Sequence, residues 1–262
     1  MPELTVLIMV LVWGAADAVG RARHAERVPV VVRRPVPTVC FYLGVLAVLV
    51  ALEGPLDRAA GTSETWHMAQ HVVLLMVAAP LLVLGAPMSR LAWAVPRSWE
   101  RRIRRSRVAR SVLRATPALA VVAVALQSAA LAGWHLPGPY QAAVRNPPLH
   151  ACEHAVFLGT GVFLWWVLVH TSRARLGAGV LALFIAALPA TALGVMMTFA
   201  RTSWYPVYGT GAAALGDQQL AGVVMWSVGN TVSVIAAVAL FAAWLASLER
   251  ATPARPAVPA RS

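Results

Sequence analysis

The sequence contains no lysine and only two cysteines. Cys40 and Cys152 alone exclude a disulfide framework, and no cysteine-rich zinc pattern is present. Cys40 reads as a small apolar core residue. Acids are scarce as well: 10 Asp and Glu stand against 22 arginines, for a formal net charge of +12. Charged residues make up only 12% of the 262 residues, while 59% are hydrophobic. A chain so poor in charge and so rich in apolar runs is a membrane protein, not a soluble domain. The missing lysine reflects a high-GC coding bias, since every lysine codon is AT-rich. Neither an internal repeat nor a separate soluble domain is visible.

No basic residue precedes the first apolar run, Leu4 to Val12, and arginines follow it. That is the reverse of a secretory leader, although Ala16-Asp17-Ala18 imitates a cleavage site. The run therefore reads as a membrane helix. A span needs roughly 20 apolar residues. Seven stretches qualify, at about 4–20, 37–54, 66–88, 116–136, 149–170, 176–199 and 217–246. The expected fold is all-α: one polytopic bundle of seven transmembrane helices over residues 1–249, with a disordered cytoplasmic tail over 250–262. Small residues such as Gly159, Gly161, Gly194 and Gly222 should let helices approach closely. Pro80 and Pro189 should kink their helices unless the freed backbone groups find new partners.

The arginines orient this bundle. Nineteen fall on one face: in the segments after helices one, three and five, and in the tail. Only Arg58, Arg145 and Arg201 fall on the other. By the positive-inside rule the N-terminus is outside and the C-terminus inside. The same distribution sets aside nucleic acid as the partner of the basic charge. The Arg101–Arg110 stretch lacks interleaved aromatics and lies between two membrane helices, so it reads as an amphipathic cytoplasmic segment touching anionic lipid.

Five of the seven histidines then gather at the outer helix ends: His67, His71, His135, His150 and His154. Four of them form two His-x-x-x-His pairs, and a four-residue step places both imidazoles on one helical face. His24 and His170 fall at the cytoplasmic face. Glu153 shares the broad face of the His150/His154 pair, as a ligand or as an acceptor that orients a ligating ring. A plain helix-start carboxylate is its other reading. Cys152 points about 200° away from His150 on a 3.6-residue helix, so it is not a ligand. Met196 and Met197 offer soft thioethers, but neighbours cannot both face one site; Met68 is ambiguous in the same way. Asp217 caps helix seven or attracts cations to the outer mouth.

Polar groups clustered at a membrane boundary mark a functional site. Imidazole suits copper, zinc and iron, and a nearby thioether favours Cu(I). Two facing histidines could instead ligate haem. The stretch His150-x-x-Glu153-His154 also has the form of a zinc protease motif, which needs a third protein ligand and an open water position. Histidines bonded only to backbone and headgroups remain the purely structural alternative.

Several motifs together resemble the CtaG family of cytochrome c oxidase assembly factors, associated with caa-type oxidases. They are His67-Met68-Ala69-Gln70-His71 running into Ala79-Pro80 through Gly85-Ala86-Pro87; Trp134-His135-x-Pro137-x-x-Tyr140; Asn146-Pro147-x-x-His150-x-x-Glu153-His154; Trp165-Trp166; and Asp217-x-x-x-Ala221-Gly222-x-x-Met225-Trp226. The resemblance spans about 66 to 230. It implies a non-enzymatic, multi-pass protein of the bacterial cell membrane. Its partners would be the bilayer and cytochrome c oxidase subunits, and its task copper delivery to the oxidase metal centres. The expected metal site comprises His67, His71, His135, His150, His154 and Glu153, with Met196 and Asp217 as further candidates. Oligomeric state is not encoded in these motifs.

Overall fold

A computed structural model describes residues 36–85, 117–172 and 175–251, with Ala15 and Val19 as isolated positions. The expected first helix, the arginine-rich stretch at 101–110, and the tail beyond 251 lie outside the described residues. Every regular element among the described residues is helical. Six helical stretches are long and apolar enough to cross a membrane. They coincide with the six spans expected after the first.

The first is α1 (Val36–Leu52), followed by the short α2 (Pro55–Ala60). The second begins with α3 (Glu64–Val72), passes through a π-helical segment, Val73–Ala78, and ends in α4 (Ala79–Leu84). Next come α5 (Pro117–Trp134), the short α6 (Pro137–Arg145), α7 (Pro147–Val169) and α8 (Leu176–Thr198). The last span joins α9 (Ala212–Val223), a second π-helical segment (Val224–Val228) and α10 (Gly229–Ala251). The lengths differ from expectation at the ends. The last span starts at Ala212, and the connections hide two short helices that apolar runs cannot reveal, since α2 and α6 are too short and polar to register.

Proline explains one π segment. Pro80 has no N–H, so a carbonyl one turn earlier loses its donor. Ala79 N–H bonds back to Leu74 O in the wider register, which leaves Leu75 O next in line. The Trp165 indole N–H donates to Leu75 O at 2.9 Å. The freed group is thus re-satisfied by a neighbouring helix, as lipid-embedded backbone demands. At Pro189, α8 runs through without a break.

Helix α7 packs on α5 and α4, while α8 packs on α5, α9 and α10. Helices α8 and α9 touch backbone to backbone: a Cβ on Gly222 would stand 2.5 Å from Gly194 O. Gly161 lies against Leu75 and Ala79, whereas Gly159 faces open space. The core has an upper part around Met68, Tyr140, Phe157 and Met225, and a lower part around Ala79, Leu164, Trp165 and Leu183. The start of α3, the end of α5, the start of α7, the end of α8 and the start of α9 share one end of the bundle, here termed the histidine end.

Candidate metal centre

Local sequence fixes where each candidate ligand emerges. Asn146 opens α7: its side chain accepts from Leu149 N–H at 3.1 Å, with Pro147 in the first turn. His150 and His154 follow on one face. Ser63 opens α3, accepting from Trp66 N–H. A second carboxylate reinforces that start. Asp217 of α9 accepts from Glu64 N–H at 2.7 Å and Thr65 N–H at 3.3 Å, and from the hydroxyls of Ser63 (2.9 Å) and Thr65 (2.6 Å). Negative charge at a helix N-terminus meets bare amides and a favourable dipole. Asp217 therefore caps α3, not its own helix. It bonds to the residues just before His67 and takes no place among the imidazoles.

Five predicted residues converge. Glu153, buried on α7, reaches across to α3: Oε2 lies 3.8 Å from His67 Nε2, and Oε1 lies 3.7 Å from His71 Nε2. Ring centroids of His67 and His71 are 4.4 Å apart, those of His150 and His154 4.1 Å, and those of His67 and His150 5.0 Å. The donor atoms of His67, His150 and His154 lie within 4.8 Å of one another, as do those of His67, His71 and Glu153. An ion bonded at about 2.0–2.2 Å to such groups requires only a small inward movement of the rings.

Hydrogen bonding assigns the free lone pairs. Tyr208 donates to Ala60 O at 3.1 Å, so its oxygen accepts from His67 Nδ1 at 2.8 Å. That holds the His67 proton on Nδ1 and bares Nε2 toward Glu153. Among the described residues, the buried Nε2 atoms of His67, His71, His150 and His154, the Nδ1 of His71 and both Glu153 oxygens have no hydrogen-bond partner. Buried polar atoms are almost always satisfied. Seven unpartnered nitrogens and oxygens in one place offer the lone pairs a cation needs, with the carboxylate offsetting part of its charge. The residues present therefore suit a metal ion.

His135 stands at the edge of this group, its ring 6.0 Å from that of His71. Its Nδ1 bonds to Leu131 O at 2.8 Å, and its own carbonyl accepts from Tyr205 at 2.6 Å. Its Nε2 faces Met68 Sδ at 3.4 Å.

The other sulfur-bearing side chains near this end separate cleanly. Met196 is 59% exposed and points out of the bundle, while Met197 is buried beside Met68 and Tyr140. Helical phase permits only one of two neighbours to face inward, and here it is Met197. Cys152 is exposed, on the side away from the rings. His170 lies at the far end of α7, stacked on Trp166.

Sequence reasoning missed Glu64 and Tyr208, and named Tyr140 only as part of a motif. Glu64 is 1% exposed with an unpartnered Oε1. It sits three residues before His67, and that spacing alone could have flagged it. Tyr140 lies 5.1 Å from the His67 ring and stacks on Tyr205 at 3.9 Å. Burial, followed by the neighbouring Tyr208, holds its hydroxyl well above the ordinary tyrosine range, so it stays protonated. Tyr208 carried no signal, because it approaches from a loop far along the chain.

No curated protein and no solved structure matches this chain. The family model for the cytochrome c oxidase caa3 assembly factor matches residues 16–247, covering every residue of the cluster just described. The chain belongs to the cytochrome c oxidase caa3 assembly factor family, Caa3_CtaG.

Proposed function

We propose that this protein binds copper at the histidine end of the bundle and passes it to the metal centres of the oxidase it helps assemble. One observation carries the reading: the bare nitrogens of His67, His71, His150 and His154 converge with the buried carboxylate of Glu153. His135 with Met68 adds a soft flank on the same side, which favours Cu(I) over a harder ion. The arginine asymmetry of the sequence supports an orientation with this end on the outside of a bacterial cell membrane. Close ring packing favours an ion over haem, since the cavity beside His71 and His135, about 30 Å³, suits a small occupant. Glu153 contacts both α3 histidines and is fully buried, which favours a ligand or charge partner over a catalytic base open to a polypeptide. We read the role as non-catalytic.

Copper analysis of purified wild type, His67→Ala and His154→Ala tests the proposal. Copper in wild type that falls sharply in both variants is the expected result. Equal and negligible copper in all three overturns it. A Soret band lost in the same variants would replace copper with haem.

A further inference from the structure

The contact between His135 and Met68 is not an ordinary hydrogen bond. A neutral imidazole has one N–H, and Leu131 O holds it on Nδ1. Nε2 then presents a lone pair. Met68 Sδ, 3.4 Å away, has lone pairs and no proton. Both side chains are buried, His135 at 4% and Met68 at 1% exposure. Two buried lone pairs facing each other repel unless a Lewis acid lies between them.

Their spacing suits that role. Bonds of about 2.0 Å to nitrogen and 2.3 Å to sulfur, at a tetrahedral angle, span about 3.5 Å. Beside the pair lies a cavity of about 30 Å³, lined by Met68, His71, His135, Met76, Met225 and Phe157 among others. It reaches inward to Gly229 and Asn230, toward the middle of the bundle. Three thioethers and two imidazoles border it, and no carboxylate does. A hard divalent ion would find neither charge nor oxygen ligands there, whereas a soft monovalent ion matches thioether and imidazole.

The geometry points to a second metal position, deeper than the Glu153 cluster, where Met68 Sδ and His135 Nε2 hold a soft monovalent cation. It rests on the metal-handling reading above and divides that reading into two chemically different stations. The Glu153 cluster accepts divalent ions as well; the Met68 position does not. His71 borders both, with Nε2 toward Glu153 and its ring against the inner cavity. An ion moving between them changes ligands without leaving the protein.

X-ray absorption on the full chain tests this, with Cu(I) loaded in one sample and Zn(II) in another. The Cu(I) sample should show a sulfur shell at about 2.3 Å. The Zn(II) sample should show nitrogen and oxygen only. Met68→Leu, close in volume, should lose the sulfur shell while keeping its zinc, which also verifies the fold. Met197→Leu, a buried methionine outside the cavity lining, should keep the shell. Wild type that binds Cu(I) through nitrogen and oxygen alone overturns the inner position and leaves the Glu153 cluster standing, as does a sulfur shell unchanged in Met68→Leu. Wild type that retains neither metal overturns both readings.

Discussion

Helix α7 carries histidines at both of its ends, and they live differently. At the far end, His170 is exposed, its Nδ1 bonds to Trp166 O at 2.9 Å, and its ring stacks on Trp166 at 4.9 Å. Its needs are met by its own helix and by solvent. At the near end, His150 and His154 keep Nε2 buried and unpartnered, facing a neighbouring helix that brings two more imidazoles. The residue type is the same and the helix is the same. What differs is whether the surroundings complete the ring or leave its Nε2 without a partner among the described residues. A histidine count along the sequence cannot make that distinction; an accounting of lone pairs can.

The largest test of this contrast removes ligands at one end and a bystander at the other. His67→Ala or Glu153→Leu should weaken metal binding by more than about 100-fold. His170→Ala should leave metal content unchanged, read by elemental analysis of purified protein. Parity between the two ends would erase the distinction. A sharper cut keeps every ligand and removes a supporter. Tyr208→Phe strips the acceptor from His67 Nδ1, and should cost about 10-fold in metal affinity by competition titration. Smaller again is an effect on stability without an effect on metal. Trp165→Phe leaves Leu75 O without its donor, and should lower stability by about 1–3 kcal/mol in thermal unfolding. Asp217→Ala removes the borrowed cap of α3, a loss of about 1 kcal/mol. If Asp217→Ala instead abolished metal binding at unchanged stability, Asp217 would belong with the ligands after all.

Much of the candidate site was legible because helical spacing is periodic. The pairs His67/His71 and His150/His154, and the divergence of Cys152, follow from 3.6 residues per turn. The spans were legible because lipid demands long apolar runs. Helix rotation was not. These helices are apolar nearly all round, so their sequences do not say which face turns inward, and Met196 looked as eligible as Met197. Asp217 was visible as a polar residue at the correct end. Its service to α3 was not, because that bond joins residues 153 positions apart. The Pro80 carbonyl repair was half legible: the sequence showed the need, and only packing supplied Trp165 as the answer.

That cap also bears on how the protein is made. Every imidazole and the carboxylate of the cluster have been synthesised by residue 154, yet the Glu64 and Thr65 amides that open α3 gain their carboxylate partner only when Asp217 is made, in the last span. A nascent chain thus carries the whole cluster before that cap exists. A chain cut before α9 would keep every histidine and the Glu153 carboxylate of the cluster but would start α3 without the Asp217 cap.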